Sequence, residues 1–451
     1  MGWRLGILTQ MRQPSNKSLE PTQHFAAITE NMHTLNSKVL GGSSLSRWMI
    51  SNSLREDMKS IAKGLGTAIA FAICLATAGA ADDAPDRIES AVGAAIQPVM
   101  AKYRIAGVAI GITVAGKSSI YNYGVASTET RQPVTRDTLF EIGSITKTFT
   151  ASLASYAQVC GYLSLSDKTS KYLPSLQDSK FGNVTLLNLG THTPGGLPLQ
   201  VPDKIGNNDQ LLQYFKDWQP TYEPGTYRTY SNPGIGTLGL ITAKRMGQDF
   251  IGLVEHRLFP ALGMKNSYLK VPEGKMADYA QGYTKEDTPI RMTTGVLSSE
   301  TYGIRSTAAD MIRFVEANMN GIELDERLQR AISATHTAYF KAGPMTQDLI
   351  WEQYRYPVAL KMLLEGNSPE IIFNATPVTQ LKPPEQPHDD VWLNKTGSTN
   401  GFGAYVAFVP EKRLGIVILS NKNYPIADRV TAAYQILMSL ADGKGENGKL
   451  R

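Results

Sequence analysis

The sequence has little cysteine and little histidine, and neither residue type is arranged for a disulfide or a metal. Of the 451 residues, two are cysteines and six are histidines. Once the leader described below is removed, Cys160 is the only cysteine left, which excludes an intramolecular disulfide. The four histidines that remain show neither an H-x-H nor an H-E-x-x-H pattern. We therefore predict no metal site and no cofactor, and zinc hydrolases fit the sequence poorly.

A concentrated positive charge is also missing from the body of the chain. The net charge is +5, but residues 1–80 contain eight Lys/Arg and four acidic residues, and so carry +4 of it. The rest of the chain is nearly neutral, whereas a nucleic-acid binder normally shows a basic face. The sequence thus predicts no nucleic-acid partner.

The N-terminal positive charge is part of a pattern typical of secretory signal peptides. From Met58, two lysines precede an apolar run, and an A-x-A cleavage site ends at Ala80. The run is shorter than the ~20 residues of a spanning helix, which argues against a membrane anchor. We predict a signal peptide over 58–80, export to the periplasm and no stable membrane association after cleavage. Residues 1–57 are interpreted as an untranslated or disordered extension.

The two ends of the exported chain have matching patterns. Helical spacing over 84–103 is followed by a strand, a turn and a strand over 107–127. Near the other end, a strand, a turn and a strand over 403–421 precede an amphipathic helix over 427–442. The simplest arrangement places all four strands in one antiparallel sheet, with the terminal helices covering a face.

The middle of the chain differs from its ends. Residues 161–284 contain helix-like pieces and many loops with proline and glycine. We interpret this stretch as a mainly helical domain inserted into a discontinuous sheet domain, which comprises 81–160 and 285–451. The predicted fold class is therefore a two-domain α/β (α+β) protein. Clefts between domains often hold functional sites.

Three Ser-x-x-Lys pairs occur, and their surroundings distinguish them. The pair at 60–63 belongs to the leader. The pair at 267–270 lies in a predicted strand edge or turn, where residues three apart face opposite sides. Ser144 and Lys147 open a predicted helix, where residues three apart share a face. There Lys147 Nζ can reach Ser144 Oγ, and the N–H groups of a helix start favour an activated nucleophile and an oxyanion.

Two further motifs accompany the pair at 144–147. Tyr230-Ser231-Asn232 is the only Tyr-x-Asn of the chain, and Lys395-Thr396-Gly397 is its only Lys-Thr-Gly. The combination S-x-x-K, S-D-N and K-T-G marks class A β-lactamases and penicillin-binding proteins, and here tyrosine replaces the serine of the middle motif. That variant resembles the class C β-lactamases, the AmpC-type cephalosporinases of the serine β-lactamase and penicillin-binding protein superfamily. Longer stretches are similar to this family as well: 189–203, 218–236, 302–319 and 395–425.

The resemblance implies a β-lactamase/transpeptidase-like fold and an acyl-enzyme on Ser144. Serine is a poor nucleophile without a base, and the candidates are Lys147 and Tyr230. The charge of Lys395 disfavours a second ammonium and favours a tyrosinate, so we predict a coupled network of these three groups. Which of Lys147 or Tyr230 is the microscopic base stays open, because coupled groups titrate together.

The resemblance also implies roles for the residues around the nucleophile. It places the oxyanion hole at the N–H groups of Ser144 and Ser398, and the binding of the substrate's amide side chain at Gln200 and Asn232. The remaining predicted substrate-binding residues, most of them near the substrate carboxylate, are Thr396, Gly397, Asn423 and Arg429.

Two positions depart from the family pattern. His192 stands where the family usually has tyrosine, and Ile426 stands where many members have asparagine. Both leave substrate preference open. His192 is interpreted as a packing or surface residue rather than as a catalytic one.

We expect a monomeric, secreted serine β-lactamase that acts on cephalosporins and penicillins and confers resistance to them. The alternative is a D,D-peptidase or esterase of the same fold, which shares acylation of Ser144 and differs in how quickly the acyl-enzyme reacts with water. A non-catalytic scaffold is a remote alternative, because all three motifs are intact.

Overall fold

The structure of this chain, a computed structural model, describes residues 87–442. The predicted extension over 1–57 and the predicted signal peptide over 58–80 lie outside these residues. The described residues all belong to one compact unit. No helix among them is both long enough and apolar enough to cross a membrane.

Ten of the fifteen strands in the described residues form one antiparallel sheet, in the order β2-β1-β15-β14-β13-β11-β10-β9-β12-β4. Strands β3, β8 and β5 form a second sheet, and β6 and β7 a third. The strands are β1 (Gly107–Val114), β2 (Lys117–Gly124), β3 (Phe140–Glu141), β4 (Tyr227–Arg228), β5 (Ser267–Tyr268), β6 (Gly282–Tyr283), β7 (Pro289–Ile290), β8 (Arg305–Ser306), β9 (Ala338–Ala342), β10 (Met345–Gln347), β11 (Glu352–Arg355), β12 (Thr376–Glu385), β13 (Val391–Ser398), β14 (Gly403–Val409) and β15 (Leu414–Ser420).

Helices cover the large sheet and fill the middle of the chain. A π-helical turn at Val254–Leu258 joins two of them, α6 and α7. The helices are α1 (87–103), α2 (Thr146–Val159), α3 (Leu186–Gly190), α4 (Asn208–Asp217), α5 (Asn232–Arg245), α6 (Phe250–Leu253), α7 (Phe259–Leu262), α8 (Ser298–Thr301), α9 (Ala308–Asn318), α10 (Glu326–Ala334), α11 (Leu360–Gly366), α12 (Pro369–Phe373) and α13 (Ile426–Asp442).

Strands β1, β14 and β15 are continuous apolar runs because helices cover both faces of the sheet. Successive residues of a strand face opposite sides. Val108 and Ile110 of β1 pack in the core that contains residues of α1 and α13. Ala109 between them belongs to the core on the other face, with Ile312 of α9. Because water reaches neither face, the alternation of polar and apolar residues disappears from these strands.

A third core lies among the helices of the middle region. It contains Leu238 of α5 and the stacked rings of Phe181 and Phe215, whose centroids are 3.9 Å apart. Helix α2 contributes Phe149 to a sheet-side core and Ala151 to this helical core. The start of α2, where the predicted nucleophile stands, is therefore a junction between sheet and helices.

The predicted fold class is confirmed, but the sheet has ten strands rather than the four predicted from the sequence. Those four strands, β1, β2, β14 and β15, do lie in one antiparallel sheet. The six others come from short or polar segments, such as β12, whose sequence TPVTQLKPPE contains three prolines and gives no strand signal. The domain boundaries at 161 and 284 stay a prediction.

Candidate active site

The predicted nucleophile, Ser144, lies in a tight turn between β3 and α2. The turn is a 3₁₀ helix at Gly143–Ile145, and α2 begins at Thr146, so Ser144 precedes the helix that the sequence predicts it to open. Lys147 points back toward the turn, and its Nζ lies 2.9 Å from Ser144 Oγ. The same Nζ donates to the main-chain carbonyl of Thr301 at 2.8 Å. These two contacts hold the lysine against the serine.

The pair at 267–270 has different surroundings. Ser267 opens the two-residue strand β5, and its Oγ donates to the carboxylate of Asp310 at 2.8 Å. Lys270 is exposed to solvent. The pair at 60–63 lies outside the described residues. Of the two described pairs, only that at 144–147 joins its serine to its lysine through a hydrogen bond.

Two glycines let the nucleophile turn pack directly against the end of β13. Gly143 has φ of 53°, in the left-handed region that favours glycine. A Cβ placed there would lie 2.5 Å from the main-chain nitrogen of Ser398 and 2.7 Å from its carbonyl oxygen. A Cβ on Gly397 would in turn overlap the carbonyl oxygen of Ile142. The absence of both side chains brings Ser398 next to Ser144, as an oxyanion hole made of their N–H groups requires.

Tyr230 lies beside both lysines of the motifs. The Nζ atoms of Lys147 and Lys395 are 5.3 Å and 5.0 Å from the centroid of its ring. The phenol oxygen is buried, and the Ser144 hydroxyl and the Lys147 ammonium lie close to it. Burial raises the pKa of a phenol, but the two ammonium charges and the Ser144 hydroxyl together outweigh it and lower the pKa of Tyr230 to about 8.

Lys147 likewise gives up its proton more readily than an ordinary lysine. Its side chain is fully buried, and burial lowers the pKa of an ammonium group. Tyr230 opposes this shift and Lys395 adds to it, so that the pKa of Lys147 is about 8. Both candidate bases thus have pKa values that suit proton transfer near pH 7. The order in which the two groups exchange protons stays open, because they are coupled.

A buried charged network that the sequence analysis does not single out supports Lys395. Lys395 Nζ lies 3.7 Å from Glu352 Oε1, and Glu352 also accepts from Arg228 at 3.2 Å and from Asn394 at 3.1 Å. The guanidinium carbon of Arg228 is 5.4 Å from the ring centroid of Tyr230. One carboxylate therefore faces two buried cations, Lys395 and Arg228. A buried charge needs such a partner, but the partner's position along the chain follows no motif.

A cleft of about 730 Å³ opens at Ser144. Three of the predicted residues lie behind its wall rather than on it, namely Lys147, Gly397 and Arg429. Eight of the predicted residues line it: Ser144, Gln200, Tyr230, Asn232, Lys395, Thr396, Ser398 and Asn423.

The chain is similar to known proteins in sequence and in structure. Residues 92–441 match the β-lactamase family. The chain belongs to the β-lactamase family. A β-lactamase from Pseudomonas fluorescens is 48% identical to it over 353 residues, which are 78% of this chain and 99% of the relative.

Solved structures place this β-lactamase among the class C enzymes. A class C β-lactamase in complex with cefoxitin is 51% identical, with a TM-score of 0.77, over 78% of this chain and 99% of the other. A protein described as the D-alanine carboxypeptidase AmpC from Burkholderia cenocepacia is 57% identical, with a TM-score of 0.76, over 79% and 99% of the two chains. The protein is thus an enzyme of the class C type, a serine hydrolase that acts on β-lactams.

In this β-lactamase, Gln200 and Asn232 both line the cleft and lie next to each other. Asn232 Nδ2 donates to Gln200 Oε1 at 2.7 Å. The side-chain oxygen Oδ1 of Asn232 is buried and has no hydrogen-bond partner in the described part of the chain. This acceptor suits the N–H of a substrate's amide side chain, which is the role predicted for the pair.

Arg429 stands behind β13 and is fully buried. Its guanidinium donates to the carbonyl of Gly397 at 2.8 Å, to Ser398 Oγ at 2.9 Å and to Asn423 Oδ1 at 2.6 Å. Burial lowers the pKa of Arg429 to about 10, which leaves it charged at neutral pH. These contacts hold the end of β13 and orient Asn423, which lines the cleft. Direct contact between Arg429 and a substrate carboxylate stays a prediction.

The two departures from the family pattern lie at different depths. Ile426 is half-buried, begins α13 and lines the cleft. His192 is 1% exposed, and its ring centroid lies 4.3 Å from that of Tyr230. His192 is therefore not a surface residue, and its ring contacts Tyr230 of the predicted catalytic network.

Proposed function

We propose that the enzyme is an exported serine β-lactamase that hydrolyses cephalosporins and penicillins through an acyl-enzyme on Ser144. The observation that carries this proposal is the 2.9 Å contact between Lys147 Nζ and Ser144 Oγ, beside Tyr230 and Lys395. A hydroxyl needs an adjacent base to act as a nucleophile. Here two candidate bases have pKa values of about 8.

In the acylation step, Ser144 Oγ attacks the carbonyl carbon of the β-lactam, and its proton passes to the coupled pair of Lys147 and Tyr230. The N–H groups of Ser144 and Ser398 stabilise the oxyanion that forms. The carbon–nitrogen bond of the lactam then breaks, and the pair returns the proton to the leaving nitrogen. The result is an ester on Ser144 with an opened ring.

In the deacylation step, a water molecule attacks the ester carbonyl while Tyr230, supported by its lysine neighbours, accepts the proton of the water. The bond to Ser144 Oγ breaks, and the serine recovers its proton from the same network. The product is the open-ring acid. Charges that favour the tyrosinate, chiefly those of Lys147 and Lys395, favour this step as well.

Steady-state turnover of a chromogenic cephalosporin, with mass spectrometry of the quenched enzyme, tests the proposal. We expect sustained turnover and a transient mass increase on the peptide that contains Ser144. A single equivalent of acylation followed by no further release of product contradicts hydrolysis of the acyl-enzyme and favours a peptidase. A mass increase on another serine contradicts the nucleophile.

A second candidate activity, hydrolysis of D-alanyl peptides, rests on one specific observation. The 57% identical solved structure is described as a D-alanine carboxypeptidase. Both reactions use the same acylation of Ser144 and differ in the leaving group. Release of D-alanine from an acyl-D-alanyl-D-alanine peptide, compared with cephalosporin turnover as kcat/KM, separates the two. A larger value for the peptide favours the peptidase.

We further propose export through a signal peptide over 58–80 and a monomer in the periplasm. The proposed architecture is a sheet domain of 81–160 and 285–451 around a helical domain of 161–284. The A-x-A site that ends at Ala80 supports the cleavage point. N-terminal sequencing of the exported protein should begin at Ala81, and a start upstream of Met58 in the mature protein contradicts this part of the proposal.

A further inference from the structure

His192 lies directly against the proposed catalytic tyrosine. It follows α3 in the chain, and its ring is tilted by 36° from the ring of Tyr230 at a centroid distance of 4.3 Å. Its φ is 59°, a left-handed conformation that residues other than glycine seldom adopt. Such a conformation persists only where the surrounding contacts impose it. The main-chain conformation at His192 is therefore imposed by its surroundings.

Two hydrogen bonds to His192 come from the main-chain N–H groups of Thr229 and Ser231, the residues on either side of Tyr230. The main-chain carbonyl of His192 accepts from the N–H of Thr229 at 2.8 Å. The ring atom Nδ1 accepts from the N–H of Ser231 at 3.2 Å. One residue thus holds the main chain directly before and directly after the tyrosine, while its ring packs on the phenol ring.

These contacts define the protonation state of the ring. A peptide N–H can only donate, so Nδ1 holds a lone pair and the neutral ring carries its proton on Nε2. Nε2 is buried and has no hydrogen-bond partner among residues 87–442. A second proton, on Nδ1, would break the bond to Ser231.

Several charged groups face this ring. Burial, followed by the positive charges of Arg228, Lys147 and Lys395, lowers the pKa of His192 well below its ordinary value. The nearby carboxylate of Glu352 is paired with Arg228 and lies close to Lys395. A neutral His192 adds no further charge to a site that already holds three cations.

We propose that His192 is a positioning residue for the reaction: as a neutral ring it holds Tyr230 where Lys147 and Lys395 act on the phenol. This inference rests on the proposed function, in which Tyr230 takes part in proton transfer. His192 itself transfers no proton, because Nδ1 is engaged by Ser231 and the ring stays in one tautomer.

The variants His192→Phe and His192→Asn separate the hydrogen bond from the ring. Phenylalanine keeps an aromatic ring but offers no acceptor to the N–H of Ser231, whereas the asparagine carbonyl can stand at the place of Nδ1. We expect His192→Phe to lower kcat/KM about tenfold or more, because it leaves a buried donor unpaired beside the tyrosine. The acidic limb of its pH profile should move to higher pH, since a displaced phenol gains less from the two ammonium charges. We expect His192→Asn, which restores an acceptor for Ser231 but not the ring, to keep a higher kcat/KM than His192→Phe.

His336 provides the matched control. It is also buried, with Nε2 2.9 Å from Asn318 Oδ1 and its ring against Trp351, and it does not line the cleft. His336→Phe should lower the melting temperature and leave the pH profile in place. If His192→Phe behaves in the same way, or keeps the kcat/KM and acidic limb of the parent, the proposal is wrong.

Nuclear magnetic resonance of the ¹⁵N-histidine-labelled parent enzyme tests the proposal even if the variants fail to fold. The ring of His192, assigned by its contact with Tyr230, should be in the Nε2–H tautomer from about pH 5 to pH 9. An imidazolium or an Nδ1–H tautomer in that range overturns the proposal. Failure of the parent enzyme to turn over β-lactams overturns the proposed function instead, and the spectrum still identifies the tautomer of His192 in that case.

Discussion

The pairs at 144–147 and 267–270 share the Ser-x-x-Lys motif but have different surroundings. Lys147 is fully buried and touches its serine, beside Tyr230 and within the field of Lys395. Lys270 is exposed, and the hydroxyl of Ser267 donates to Asp310. The comparison shows that the same spacing joins serine to lysine beside a helix start and not in a strand, and that burial and a neighbouring cation lower the pKa of Lys147.

Removing the serine of each pair should give the largest difference between them. Ser144→Ala deletes the proposed nucleophile, so we expect kcat for a chromogenic cephalosporin to fall by about 10⁴-fold or more. Ser267→Ala removes a buried hydrogen bond to Asp310 and should lower the melting temperature while leaving kcat unchanged. Equal activities of the two variants would contradict the assignment of the nucleophile.

The main chain of Ser398, which packs against the turn of Ser144, can be displaced by a single methyl group. In Gly143→Ala the new Cβ meets the Ser398 main chain at 2.5–2.8 Å, so the turn and β13 must move apart. We expect kcat to fall by about 10²-fold, the usual effect of losing one oxyanion donor. Burst kinetics with a chromogenic cephalosporin should show that acylation is the step that slows.

Gly161→Ala is the control for Gly143→Ala. Gly161 also has a positive φ, of 76°, but a Cβ there has nothing within 4 Å. Both variants strain the main chain, at about 1–2 kcal/mol each, and only the first disturbs Ser398. A similar loss of activity in the two variants would attribute the effect to strain rather than to the oxyanion hole.

The motifs of the proposed catalytic site could be found in the sequence because each is a short run of residues whose chemistry is local. Strands β1, β14 and β15 could be predicted for a similar reason, since burial on both faces leaves long apolar runs. The residues that contact these motifs from elsewhere in the chain could not be predicted from the sequence. Glu352 reaches Arg228 across 124 positions of the chain, and His192 reaches Ser231 across 39. Such pairs exist only after the sheet and helices have packed, and a lone glutamate or histidine gives no sign of them.

The pH dependence of stability tests whether burial also distinguishes Lys147 from Lys270. The pKa of Lys147 is about 8 in the folded enzyme and 10.5 ordinarily, so between these values the unfolded chain binds more protons. The free energy of unfolding of the parent enzyme therefore gains, from this group, up to about 1.4 kcal/mol per pH unit as the pH rises through that interval. The lowered pKa of Tyr230 acts in the same direction.

Urea unfolding at a series of pH values, on Lys147→Met and Lys270→Met, isolates this effect. Lys147→Met removes the buried ammonium, so its free energy of unfolding should rise less steeply with pH than that of the parent enzyme between about pH 8 and pH 10. Lys270 is exposed in the folded enzyme, so Lys270→Met should keep the slope of the parent enzyme. Parallel curves for all three proteins would mean that burial does not lower the pKa of Lys147. Of the two candidate bases for Ser144, only Tyr230 would then remain.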